Sequence, residues 1–279
     1  MKVLITGAKG FIGGNLLDLL YDYETVGISR NEETFNKKKI YSFDRLSEIE
    51  FQPEVLIICH GAVASGSTII SDATLFDSNV TLTKRVLNRF KNAFVIYLSS
   101  CSVYKITDNT PLRENSPIYP NSTYSISKFW GEILALQREN SVVLRLTSVY
   151  GSSMRENTLI PNYINAAIKK NIIHVWGMGN REQNYIHVSD LAEMIKKIIE
   201  KRKKLSNHIL LGVSDKEYSN KQVAKIISYL TNCDIKFVNE DKSPSFNYDN
   251  RFSRSLLDWH PLMDLNTGIK KYIECIKGK

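Results

Sequence analysis

The most constraining feature of this 279-residue chain is an alternation. KVLIT (2–6), TVGIS (25–29), KIYSF (39–43), EVLIIC (54–59), AFVIYLS (93–99) and SVVLRL (141–146) are short apolar runs rich in β-branched residues. Between them, helical spacing runs from Phe11 to about Tyr23, near 69–90 and over 122–139. Strands apolar on both faces are buried on both faces, and strands that alternate with helices pair in parallel. The first 150 residues therefore predict an α/β fold with a doubly wound parallel sheet. Ligands of such sheets bind beyond the carboxyl ends of the strands, where strand order reverses.

After Gly151 the texture changes. The strand signals IHVW, HILLG and DIKFV are short and isolated, and Asn, Ser and Lys become frequent. This predicts a small C-terminal α/β lobe, over 151–183 and 206–279, that holds the substrate. NYIHVSDLAEMIKKIIEK (184–201) is expected to return to the first domain as a helix, so that 1–150 and about 184–205 form the dinucleotide-binding part.

Composition removes several function classes. The chain is 43% hydrophobic and 24% charged, an ordinary globular mix. No apolar run approaches the ~18 residues of a membrane span. The opening MKVLITGAKGFIG breaks into glycines too early for a secretion signal. The four cysteines, Cys59, Cys101, Cys233 and Cys275, form no metal-ligand spacing and suit a reducing cytoplasm. No metal is expected. Net charge is +8, with lysines at 37–39 and in KKIIEKRKK (196–204), but aromatics are not interleaved as a nucleic-acid surface requires.

GAKGFIGG (7–14) follows the first strand and opens the first helix. Gly7 permits a tight turn, Gly10 permits close approach of backbone to a pyrophosphate, and Gly13 lets helix pack on strand. Phe11 and Ile12 open a helix N-terminus whose N–H groups attract phosphate. Strand, glycine turn and helix in that order make this a Rossmann-type phosphate loop. A free ribose 2′-hydroxyl usually meets Asp or Glu at the end of the second strand. Here that end reads Ser29, Arg30, Asn31. A guanidinium and a hydroxyl suit a 2′-phosphate, which points to NADP(H) over NAD(H). Asp44, after the third strand, is expected near the adenine.

Tyr124 and Lys128 stand four apart in TYSISK, on one face of the expected helix. A nearby ammonium favours tyrosinate and lowers the phenol pKa from about 10. YLSSCSVY (97–104) ends the preceding strand and offers serine hydroxyls to the same substrate oxygen.

GxxGxxG, HGAV (60–63), SNV (78–80), SSCSVY, YxxxK, LRLTSVYG (144–151) and NYIHVSDLA (184–192) occur in the order of the extended short-chain dehydrogenase/reductases, which this chain resembles over nearly its whole length. That family comprises NAD(P)-dependent nucleotide-sugar epimerases, dehydratases and reductases. The resemblance implies that Tyr124 is the acid/base and that Lys128 lowers its pKa while holding the nicotinamide ribose. It places Ser100 at the catalytic Ser/Thr position. It assigns Asn79 a structural or cofactor-side role, lines the cofactor with His60, Gly61 and Ala62, and makes Arg145 structural. His60 itself reads as a packed turn residue without chemistry.

Departures from the family pattern narrow the reaction. Cys101 and Ser102 stand where family dehydratases carry an Asp-Glu pair, so elimination of water is not expected; both become candidate substrate contacts, Cys101 as a small pocket-wall residue. Gln183 stands where an arginine usually clamps a diphosphate, which leaves Arg181, Arg251 or Arg254 to reach instead. Asn157 and Leu159, in a segment that typically covers the substrate, are further candidates. Trp176 either flanks a nucleotide base or packs in the core. The loops 105–121 and 152–183 would select the sugar. The expectation is an NADP-dependent reductase of a nucleotide-linked 4-keto sugar, with a 4-epimerase using the same residues as the alternative. A homodimer is expected through the helices at 69–90 and 122–139.

Overall fold

The computed structural model describes residues 1–35, 37–63, 69–105 and 111–278. Residues 106–110, part of the loop expected to select the sugar, lie outside the described residues. In chain order the strands are β1 (Lys2–Thr6), β2 (Glu24–Ser29), β3 (Glu33–Phe35), β4 (Lys38–Ser42), β5 (Val55–Ile58), β6 (Phe94–Ser100), β7 (Ser141–Leu146), β8 (Ser148–Tyr150), β9 (Ile172–Trp176), β10 (Glu182–His187), β11 (His208–Gly212), β12 (Glu217–Ser219) and β13 (Asp234–Val238). The helices are α1 (Phe11–Leu19), α2 (Asp72–Phe76), α3 (Leu82–Arg89), α4 (Thr123–Leu136), α5 (Leu159–Lys170), α6 (Val188–Lys201), α7 (Asn220–Thr231), α8 (Arg251–Leu257) and α9 (Leu265–Lys277). A π-helical turn, Asp77–Thr81, joins α2 to α3.

Eight strands form the main sheet, in the order β11-β7-β6-β5-β1-β2-β4-β3. All its pairs are parallel except the short β3–β4 hairpin. One apolar core lies between the sheet and α1 with α6; a second lies on the opposite face, where Val86, Leu87 and Ala135 of α3 and α4 pack. The fold is the doubly wound α/β sheet expected from the alternation. Its order reverses between β1 and β5, so the crevice opens between the loops that follow those two strands.

Two boundaries differ from the sequence reading. Residues 182–187 are a strand that pairs with β8 and β12, and the helix expected from 184 begins at Val188. Val188 onward has helical amphipathicity, but NYI (184–186) before it is continuously buried, which suits a strand. The segment HILLG, assigned to the small lobe, is β11. It pairs with β7 and forms the edge of the main sheet. Strand spacing alone does not say which sheet a lone apolar run joins. The small lobe's own core gathers Ile160, Tyr163 and Ile164 of α5, Val223 and Ile227 of α7, and Ile269 and Ile273 of α9.

A buried ion pair ties α4 to the sheet. Arg145 of β7 and Glu132 of α4 are 2% and 1% exposed. Arg145 binds both carboxylate oxygens, Nη2 to Oε2 at 2.8 Å and Nε to Oε1 at 3.0 Å, while Ser99 of β6 donates to Oε1 at 2.5 Å. Removing one member strands the other charge in the core, which costs about 3–5 kcal/mol. Arg145→Met is therefore expected to lower stability by about that amount in urea unfolding; a change under ~1 kcal/mol would show that Glu132 finds another partner.

Candidate active site

Gly7 turns the chain after β1 with φ +67°, and a Cβ there would lie 2.8 Å from the His60 backbone. A Cβ on Gly13 would press into the Gly7 carbonyl. These two positions let α1 start directly against the turn. α1 begins at Gly10 with no side-chain cap and no acidic residue in its first turn. In contrast, α2, α4, α6, α7 and α9 each have a side chain that accepts from an N-terminal N–H. The first N–H groups of α1, from Phe11 and Ile12 onward, are thus left for an anion at the positive end of the helix dipole. A cradle that a Cβ would fill and an uncapped helix fit a dinucleotide pyrophosphate.

The turn after β5 forms the other wall. His60 is buried, with Nδ1 2.7 Å from Thr6 Oγ1 and Nε2 3.2 Å from Thr83 Oγ1. Burial drives its pKa down to about 3. Both nitrogens are engaged and the ring stays neutral, so His60 shapes the turn through its packing. Asn79 is equally committed: Oδ1 accepts from Ala62 N at 2.8 Å, while Nδ2 donates to Ala62 O at 3.1 Å and to Ser127 Oγ at 2.9 Å. Its place just short of the open turn beside Gly61 makes it a pin between the cofactor-side loop and α4. It offers no free amide atom to a cofactor.

Ser29 and Ser42 pair across β2 and β4, so Arg30 and Asp44 sit just past neighbouring strand ends. Ser29 is buried; Arg30 and Asp44 are exposed. The acids that follow are already paired, Glu32 with Arg45 at 2.9 Å and Glu33 with Lys9 at 2.8 Å. Among the described residues the Arg30 guanidinium has no partner.

The end of β6 and the start of α4 bring the catalytic candidates together. A capping box between Ser122 and Ser125 starts the helix. Three consecutive residues of β6 then hold three residues one turn apart on α4. The Ser100 hydroxyl faces the Tyr124 phenol, the Leu98 carbonyl accepts from Lys128 Nζ at 2.6 Å, and Ser99 donates to Glu132. Ser100 Oγ is itself held by Ser102 N at 3.2 Å.

Burial raises the Tyr124 pKa above its usual value; the Ser100 hydroxyl and the charge of Arg155 oppose that rise, and Cys101 adds to it. Lys128 lies one turn on along the same helix. Its ammonium is buried, bound to a backbone carbonyl and set over the Tyr97 ring at 4.4 Å. Desolvation brings Lys128 itself down to about 8, against upward pulls from Glu132 and Cys59. Spacing put the amine on the right face, but burial decides its charge.

The substrate-side candidates divide. Cys101 is a core residue: it is buried with Tyr104, Leu112, Leu211 and Val213, and burial pushes its thiol pKa up. The pocket-wall reading of Cys101 is therefore corrected; Ser102, beside it, is exposed. Trp176 is 58% exposed at the end of β9, which rules out core packing. It stands beside a cleft lined by 177–181, 240–243 and Ser245. Arg181 faces this cleft but donates to the Pro244 carbonyl at 3.3 Å, and Gln183 donates to Asn220 Oδ1 at 2.8 Å. Arg251 is bound through two nitrogens to Asp249, at 2.7 and 2.8 Å, and Arg254 pairs with Asp215 at 2.9 Å. Asn157 is half-buried, and Leu159 packs on the small lobe's core.

A family model described as NAD dependent epimerase/dehydratase family matches residues 3–212. The chain belongs to that family. It is an enzyme of the extended short-chain dehydrogenase type, as the motif order implied. Protein CapI of Staphylococcus aureus is 29% identical over 233 residues, covering 72% of this chain and 70% of CapI. A dTDP-4-dehydro-6-deoxy-D-allose reductase of Streptomyces sp is 26% identical over 235 residues, covering 71% and 72%. Among solved structures, UDP-glucuronic acid 4-epimerase from Bacillus cereus, in complex with UDP-glucuronic acid and NAD, superposes with a TM-score of 0.85 at 20% identity, covering 100% of this chain and 99% of that one. The last likeness shows the shared fold.

Sequence reading did not single out Glu132 or Arg155. Glu132 had a signal, since it continues the four-residue spacing of Tyr124 and Lys128. Arg155 had none: its partner, Val63, is 92 residues away.

Lys128 allows a test of the buried site. Its lowered pKa means that the native state binds fewer protons than the unfolded chain between pH 8 and 10.5. Wild-type stability should therefore rise with pH across that window, and below it the buried charge costs on the order of 3 kcal/mol. Lys128→Met is expected to be more stable than wild type at pH 7, with the gap shrinking towards pH 10.5 in urea titrations. A gap independent of pH would contradict the buried-charge account.

Proposed function

We propose that this enzyme is an NADP-dependent reductase of a nucleotide-linked 4-keto sugar. The guanidinium of Arg30, without a partner among the described residues and placed where a carboxylate would otherwise meet a ribose hydroxyl, carries the NADP part of this reading. Gly7, Gly10, Gly13 and the first N–H groups of α1 would hold the pyrophosphate, and Lys128 the nicotinamide ribose. Bound there, the nicotinamide would supply hydride to the keto carbon.

The protein's own residues manage the oxygen. Its raised pKa keeps Tyr124 protonated at neutral pH, which suits a donor. As negative charge grows on the carbonyl oxygen, Tyr124 gives up its proton and Ser100 donates a hydrogen bond. The exposed Trp176 ring beside the 177–181 cleft supports a stacked base. The curated relatives include both a keto-sugar reductase and a putative UDP-glucose 4-epimerase.

Tyr124→Phe should abolish turnover while NADPH binding stays within about twofold; unchanged turnover would remove the mechanism. Screening UDP- and dTDP-linked 4-keto sugars for stoichiometric NADPH oxidation separates the two reactions, because an epimerase interconverts sugars with no net oxidation. Arg30→Ala should weaken NADPH at least about tenfold more than NADH in binding titrations. Equal weakening would remove the 2′-phosphate role.

We also propose a homodimer. Ile126, Trp130 and Ile133 recur at i, i+4 and i+7 on α4 and remain 41–48% exposed, with Phe76 of α2 edge-on to Trp130 at 5.9 Å. Such an apolar stripe on paired helices suits a two-fold contact with a second copy. Trp130→Glu should shift the protein from dimer to monomer in sedimentation. A monomeric wild type would overturn the proposal.

A further inference from the structure

Lys9 sits in the turn after β1, between Gly7 and Gly10 of the phosphate loop. That turn lies against the end of β2. Ala8 N donates to the Ile28 carbonyl at 3.1 Å, and a Cβ on Gly27 would run into the Ala8 side chain. The strand register brings an acid to the same place. Gly27 of β2 pairs with Ile40 of β4, and Ile40 with Glu33 of β3, so the three stand in one row and face one side of the sheet. Glu33 therefore shares the face that the phosphate loop crosses, and Lys9 Nζ meets its Oε1 at 2.8 Å. That oxygen is shut off from water and has no other partner among the described residues. Glu32, beside it, is balanced by Arg45 at 2.9 Å. Arg30 is exposed at the end of β2, with its carbonyl held by Ser42 Oγ at 2.9 Å.

We propose that Glu33 is a specificity-determining counter-ion, which holds the Lys9 ammonium beside the phosphate loop until the 2′-phosphate of NADPH displaces it. This rests on the NADP reading above and gives the 2′-phosphate a second cation besides Arg30. The side chains of Lys9 and Glu33 are 41% and 33% exposed, so water reaches both groups as the pair opens and the exchange loses little. A phosphate carries more charge than a carboxylate and offers three acceptor oxygens, which makes it the stronger partner for an ammonium. NADH brings only a hydroxyl there, which does not displace a carboxylate, and the pair stays closed. Glu33 thus competes with the phosphate of NADPH and is indifferent to NADH. A carboxylate that instead read the ribose hydroxyls would help NADH, and one that only braced the turn would help both cofactors. The three roles differ in sign.

The test titrates NADPH and NADH into the full chain, into Glu33→Gln and Lys9→Gln, and into the double variant, following nicotinamide fluorescence. Glu33→Gln should tighten NADPH about fivefold and Lys9→Gln should weaken it at least about fivefold, while NADH stays within about twofold in both. In the Lys9→Gln background the gain from Glu33→Gln should shrink, because the carboxylate no longer has a cation to withhold. An unchanged NADPH affinity in Glu33→Gln overturns the proposal. So does weaker NADH binding in that variant, since Glu33 would then read the ribose hydroxyl, and so does weaker binding of both cofactors, the mark of a brace. A gain of the same size in both backgrounds overturns it too, because Glu33 would then act by simple repulsion. The wild type separates this from the underlying reading. If it prefers NADPH and Glu33→Gln changes nothing, only the role of Glu33 fails; if it binds NADH as tightly as NADPH and Arg30→Ala weakens both alike, the NADP reading fails and the role of Glu33 with it.

Discussion

The seam between the end of β6 and α4 is the contact on which the site depends. Leu98, Ser99 and Ser100 engage Lys128, Glu132 and Tyr124, so adjacent strand residues meet helix residues a turn apart. Gly131 makes the close approach feasible, because a Cβ there would run into the Tyr97 hydroxyl. Tyr97 in turn donates to the Lys128 carbonyl at 3.4 Å. The buried Glu132–Arg145 pair extends this seam to β7, and Arg145 Nη1 reaches on to the Glu114 carbonyl at 3.2 Å. A strand that ends in hydroxyls rather than apolar residues supplies both the fastening and the chemistry.

This arrangement spends stability on function. A lysine at 6% exposure with its pKa drawn towards 8 is unfavourable in the unliganded protein. Water exclusion strengthens every charge interaction made there, so the same burial that costs folding energy sharpens the response to a developing oxyanion. The surrounding apolar sheet carries that cost; Leu4, Ile5, Leu56, Ile57, Ile96 and Leu144 are fully buried around it.

The two walls of the crevice are built on different principles. On the cofactor side the backbone does the work: a positive-φ glycine, an uncapped helix and a turn pinned by Asn79 and Thr6. On the small-lobe side the candidate side chains are polar, and several are engaged with the protein, including Arg181, Gln183 and Arg251. A wall made of backbone tolerates little sequence change, whereas a wall made of side chains can change without disturbing the sheet.

Local sequence settled what depends on local physics. Apolar runs of four to seven residues became the parallel strands, the glycine turn became the start of α1, and the four-residue spacing placed Tyr124 and Lys128 on one face of α4. Tertiary structure decided what depends on burial and on distant partners. It made Cys101 core, drew the Lys128 pKa down by burial, joined β11 to the main sheet and brought Arg155 to Val63. The reason is physical: backbone preference and periodicity act over a few residues, while desolvation and ion contact depend on which surfaces meet after the chain has folded.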